Sequence, residues 1–413
     1  MRFIALLLLI SCSEGSAPSA PVPGDPGPRP RPVRDSAVPD TSTPSVDASS
    51  QAVACESFPV ELSLDPISRA RQVSVGTNET GFVFAWSDAR SVTEDVRIAD
   101  LPSDAVAVME TRLTEDGASV RSVEVTDGLA VWLDDAGRGA PYGVRGAEVG
   151  RPADEVWVFS DAEGDHASPQ VVAVEDGWIV AWLRRPPGSD RWQVEMRPVD
   201  NAGETGDVVQ LPYEATTPSL SFSNASNLLY LAWVDGDDVF VGRTSLTGES
   251  AIDASQVSTE SNAAGDLSIA FGPDGGIATF GVRVAGIRPE IRSRLLDVNG
   301  RPQRPEEVVS QAPLKGSVPS AIAFSGGFAV AYRAAHNDEE DHIRLAFVHG
   351  SDGDVVAEYS FGESAMDDGA PGVAVDEEGR IGVGWAHRSG SGTAIRGVRL
   401  VCAEAWLRCG VER

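Results

Sequence analysis

Seven positions along the chain carry the side chains best suited to polar chemistry. They are Asp88, Arg90, Asp134, Arg184, Asp235, Arg333 and His387. Each lies one to three residues from, or a few residues past, an aromatic residue that ends a short apolar run. Carboxylates, guanidinium groups and an imidazole brought to one surface can hold a polar ligand through charge-assisted hydrogen bonds. Solvated loop ends are the plainer reading of the same residues. A denser cluster, His336-Asn337-Asp338-Glu339-Glu340-Asp341-His342, has the donor types of a divalent-cation site, but its spacing matches no standard metal site, and no metal is expected. Asp235-Gly236-Asp237-Asp238 lacks the further ligands of a calcium loop. No Gly-x-Ser-x-Gly or His-Glu-x-x-His motif accompanies the five histidines. No catalytic residue and no cofactor are therefore assigned.

Those residues need a scaffold, and the scaffold is periodic. Trp86, Trp132, Trp182, Trp233, Phe280, Tyr332 and Trp385 recur with gaps of 46, 50, 51, 47, 52 and 53 residues. That period marks a repeat architecture. In the third unit, four short runs (168–174, 178–182, 192–199 and 207–211) are separated by turns rich in Asp, Asn and Gly. Short runs bounded by such turns are antiparallel strands. The expected fold is all-β: a seven-bladed β-propeller of four-stranded antiparallel blades. In that fold the loops between second and third strands share a face with the blade-to-blade connections. The seven polar candidates fall on that face, while the aromatic anchors fill the spaces between blades.

The last unit supplies three strands, and residues 58–64 form a strand with no unit of its own. The N-terminal strand is expected to complete the last blade and close the ring. Cys55 precedes that strand and Cys402 follows the last unit's third strand, so a disulfide between them would replace the missing hairpin. Pairing of Cys409 with either one is the alternative.

Residues 1–11 read as a signal peptide: a charged start and an eight-residue apolar run, too short to span a bilayer. The run ends in Leu9-Ile10-Ser11-Cys12, which resembles the lipobox of bacterial lipoproteins. That resemblance implies that Cys12 is lipidated. Ser13, with no Asp in its place, points to the outer membrane of a diderm cell envelope. Residues 12–54, rich in Pro, Ser, Ala, Asp and Gly, read as a disordered tether, and 55–413 as the propeller.

A formal charge of −29 argues against nucleic acid and leaves the lipid anchor as the only expected membrane contact. The repeat unit, fullest at Trp86-Ser87-Asp88-Ala89-Arg90, resembles degenerate propeller repeats of bacterial secreted and surface lipoproteins. The Ser-x-Asp-x-Gly-x-Thr-Trp box of sialidases is absent. The expected function is a membrane-anchored extracytoplasmic binding or scaffold protein with an unidentified protein or carbohydrate ligand. The alternative is a propeller enzyme of glycosidase, lyase or lactonase type. Carboxylates converging on a deep pocket would favour the enzyme.

Overall fold

The computed structural model describes residues 55–402 apart from 63–69, 71, 90–93, 104–107, 115–118, 136–140, 151–155, 161–162, 218, 250–251, 260–261, 284–288, 311–314, 325, 337–339, 366–368 and 390–391. The chain divides into two units, Met1–Ala48 and Ser49–Arg413, and every described residue belongs to the second. The signal peptide, Cys12, the tether, Arg90 and Cys409 lie outside the described residues.

Seven four-stranded antiparallel sheets make up the fold. Six run in chain order, as in the third blade: Asp165–Val174, Gly177–Arg185, Trp192–Asp200 and Val209–Ala215. The first strands are Val73–Asn78, Val120–Thr126, Asp165–Val174, Leu220–Ala225, Ala263–Gly272, Lys315–Phe324 and Gly372–Val375. Each touches the next, and the seventh touches the first, so together they form the inner ring of a closed seven-bladed propeller.

The seventh blade has the order Cys55–Glu61, Gly392–Cys402, Ile381–Ser389, Gly372–Val375. The N-terminal strand thus completes the last blade. It begins three residues earlier than the apolar pattern indicates, because Cys55 pairs in register with Cys402. A disulfide joins the two.

Turn chemistry sets the strand ends. Asp127 and Gly128 have φ of 35° and 82°, and Ser226 and Asn227 have 52° and 61°. Positive φ at both central residues is the two-residue hairpin geometry that follows the twist of the strands. A longer turn recurs at Asp200, Asp297 and Asp376. In each, Oδ1 accepts the amides two and four residues on, at 2.8–3.1 Å. Gly203, Gly300 and Gly379 supply the positive φ at the fourth position.

The core is divided into seven clusters among the described residues, and each spans two neighbouring blades. Every cluster contains one of the seven anchors, always donated by the later blade. An aromatic ring at the end of a second strand is wide enough to fill the wedge between two twisted sheets. That geometry explains why Trp, Phe and Tyr exchange at this position.

Candidate functional site

The inner ring leaves one edge of every first strand facing the axis. Unpaired edge amides need a partner. Serines supply it across blade boundaries. Ser74 Oγ accepts Val125 N–H at 3.0 Å, Ser221 accepts Ile269 at 3.0 Å, Ser223 accepts Phe271 at 3.1 Å and Ser268 accepts Ala321 at 3.0 Å. The ring is tight: a Cβ on Gly76 would meet Val125 O at 2.7 Å. Enclosed by these strands is an axial channel of about 500 Å³. Its wall is mostly uncharged and polar, with Ser74, Ser221, Ser268 and Ser320 on four different blades.

One carboxylate is set into that wall. Glu124, partly buried on the second blade's first strand, accepts Ser74 Oγ–H at 2.8 Å and Gln72 Nε2–H at 3.1 Å. Gln170 on the third blade adds a side-chain hydrogen bond. Three blades therefore meet at one carboxyl group. Burial pushes its pKa from an ordinary 4.5 up to about 7, against the downward pull of the bonds from Ser74, Gln170 and Gln72. No Lys, Arg or His is among the described residues lining the channel.

A β-bulge aims this side chain. Strand pairing slips by one residue between Arg121 and Glu124, between Ala167 and Gln170, and between Ser317 and Ser320. Ser122, Ser168 and Val318 within those bulges have φ of 50°, 46° and 52°. A one-residue slip moves every later side chain to the other face of a strand. Glu124, Gln170 and Ser320 each follow such a slip directly. Non-glycine residues in this backbone region are strained, and such strain gathers at functional sites.

The raised pKa has a measurable consequence. The folded state holds the Glu124 proton more tightly than the unfolded chain does. Its cost is therefore absent below about pH 4.5 and grows as pH rises towards and through 7. Glu124→Gln keeps an acceptor for Ser74 and Gln72 but cannot ionise. The variant is expected to be more stable than wild type by up to about 3 kcal/mol at pH 8, and by under about 1 kcal/mol at pH 5. Urea denaturation at both pH values measures this. A difference that does not change with pH would contradict it.

Asp88, Asp134 and Asp235 end their second strands, whereas Arg184, Arg333 and His387 lie one, three and two residues inside theirs. Asp88 is 1% exposed, and its Oδ2 pairs with Arg97 Nε at 2.9 Å. Arg97 also reaches Glu110 at 2.7 Å, so the charges cross three strands of one blade. Asp134 is buried, with Oδ2 3.5 Å from the donating Trp132 Nε1. Arg184 donates to Glu195 at 3.2 Å and to the Glu163 carbonyl at 2.9 and 3.1 Å. Asp235 receives Arg191 of the preceding blade at 2.9 Å. Arg333 donates to Ser317 Oγ at 3.0 Å, and His387 is buried. Each of these contacts lies within one blade or joins two neighbours. The acidic His336–His342 segment is a hairpin in which His336 pairs with Glu340, and residues 337–339 lie outside the described residues.

Glu124 escaped the sequence reading, although a signal was present. Counted back from the first hairpin turn, the last four residues of the other six first strands carry no charge. Glu124, between Val123 and Val125, is the exception.

No protein-family model matches the sequence, and no curated protein matches it. Solved structures match in shape. A protein of unknown function from Dyadobacter fermentans has a TM-score of 0.52 at 12% identity, over 84% of this chain and 99% of its own. A neuraminidase-like protein of A/little yellow-shouldered bat/Guatemala gives 0.47 at 10% identity, over 85% and 100%. The NanB sialidase of Streptococcus pneumoniae gives 0.46 at 11%, over 83% and 71%. At these identities the similarity is one of fold alone.

Proposed function

We propose that the chain is an extracytoplasmic binding protein, held to the cell envelope by lipid on Cys12, whose axial channel takes a small hydroxyl-rich ligand of carbohydrate size. The observation that carries this reading is the channel itself. It encloses about 500 Å³, within the roughly 300–1,000 Å³ range of small-molecule sites. Serine, glutamine and edge backbone groups from several blades line it, and groups of these types bind hydroxyls as donors and acceptors. Carboxylates converging on the channel would favour the alternative, a propeller enzyme. Among the described lining residues the carboxylates are Glu124 and Asp127, and Asp127 belongs to an exposed turn where Thr77 holds it at 2.6 Å.

Titration calorimetry with a panel of mono- and disaccharides tests the reading. Saturable binding is expected in the wild type. Ser320→Phe, which plugs the channel wall, is expected to abolish it with the circular dichroism spectrum and melting temperature retained. Absence of binding across the panel, or equal binding by the plugged variant, would remove the proposal.

The address is tested separately. Cys12→Ala is expected to release the mature protein from the membrane fraction, because the acyl chains supply about 0.8 kcal/mol per buried CH₂. A variant that fractionates like wild type would exclude lipidation at this residue. Ser13 supports an outer-membrane location in a diderm cell.

A further inference from the structure

We infer that the ligand of the axial channel carries an ammonium group, which docks on the carboxylate of Glu124. This rests on the channel being the binding site and adds the charge of its occupant.

The first support is an electrostatic mismatch. The partners of the Glu124 carboxyl are Ser74, Gln72 and Gln170, all neutral. A carboxylate offers about four lone-pair positions, so three donors leave room for one more. An ionised carboxylate away from bulk water is costly without a counter-charge. Among the described residues the channel wall contains no cationic side chain. A ligand ammonium would supply both the missing charge and a charge-assisted hydrogen bond.

The groups around Glu124 leave that role open. Arg121, on the same strand, is exposed and stacks over Tyr142 at 4.7 Å. On the strands packed against it, Asp88 pairs with Arg97, Asp95 with Arg112, Asp100 with Asn78 and Asp165 with Arg185. Asp134 accepts from Trp132, and His166 is held by Ser160 and the Tyr142 carbonyl.

The second support is the channel mouth beside the turns between first and second strands. Asp127 borders both the channel and a cleft of about 790 Å³ formed by turns of the seventh, first and second blades. Glu79, Glu148 and Glu377 line that cleft, while Asp376 and Glu378 share Arg380. Carboxylates outnumber the single arginine in that lining, and an excess of one sign at a cleft raises the local concentration of the opposite sign. An organic cation suits the site better than a metal ion. One carboxylate among amides and hydroxyls is a poor cage, and the described residues contain no group of three His, Cys, Asp or Glu side chains able to hold a metal.

Glucamine and sorbitol make the test, since they differ by one amine that stays protonated between pH 6 and 8. Glucamine is expected to bind wild type at least about tenfold more tightly than sorbitol at pH 8. That advantage should shrink about tenfold at pH 6, where Glu124 is mostly protonated. Glu124→Gln should remove the advantage, so that glucamine and sorbitol bind that variant equally at both pH values. If that variant does not fold, the pH dependence of the wild type alone decides. Equal affinity for the two compounds, or a preference that survives Glu124→Gln, overturns the ammonium inference and leaves the channel reading standing. Failure of both compounds and of the saccharide panel overturns both.

Discussion

Trp182→Ala is expected to destabilise the propeller by about 3–5 kcal/mol, the range for removing a large aromatic side chain from a packed core. The indole is fully buried between the second and third blades, against Leu129, Val131 and Phe159. Its loss leaves a cavity whose walls belong to two sheets, each held rigid by its own strand pairing, so collapse around the gap is limited. The indole N–H also donates to Glu195 Oε2 at 3.0 Å, and Arg184 holds the other oxygen at 3.2 Å. The alanine variant therefore loses a buried hydrogen bond as well as packing. Trp182→Phe restores most of the ring but not the donor, and is expected to recover more than half of the loss. Chemical denaturation of both variants separates the two contributions. A loss below about 1.5 kcal/mol for Trp182→Ala would show that the anchor position is not a packed core site.

The anchors were readable because they do one job seven times. Each fills one wedge between blades, and a packing role repeated by every blade leaves a period in the sequence. Blade count and ring closure followed from that period and from the orphan N-terminal strand. The channel left no such trace. Its key residue occurs once, in one blade, and its direction depends on the bulge at Ser122. Read at a strict period of two, Glu124 falls on the wrong face of its strand. A different effect blurs the loop face. Asp88 does lie at the end of its second strand, but its burial comes from Arg97 on the third strand, a cross-strand partner that linear spacing does not reveal. Strand ends shift for local reasons too. The fourth strand of the third blade runs Val209–Ala215 rather than 207–211, because Gly206 N–H bonds back to the Pro198 carbonyl and keeps the preceding residues in the turn.

Closure is the other place where a single change has a large expected effect. The seam strand Cys55–Glu61 is mostly exposed and packs poorly by itself, with Phe58 37% exposed and lying 5.3 Å from the Arg399 guanidinium. Apart from its ladder to the 392–402 strand, Val60 packs against the cluster between the seventh and first blades, and further contacts hold its two ends. Leu62 is 1% exposed in the cluster between the seventh and first blades, with its amide bonded to the Ile395 carbonyl at 2.9 Å. The Cys55 amide donates to Tyr359 Oη of the sixth blade at 3.0 Å. The disulfide closes a separation of 347 residues. In the chain-entropy view, a crosslink over so long a loop contributes up to about 5 kcal/mol by restricting the unfolded chain. The double variant Cys55→Ser, Cys402→Ser is expected to lose a few kcal/mol and to open first at the seam, since that strand can detach while the other six sheets stay intact. Hydrogen exchange reads this directly. Amides of Glu56–Glu61 should lose protection before those of the third blade, and proteolysis should begin in residues 55–70. Seam amides that exchange as slowly as the third blade's in the double variant would mean that Leu62 and the strand ladder hold the ring closed without the crosslink.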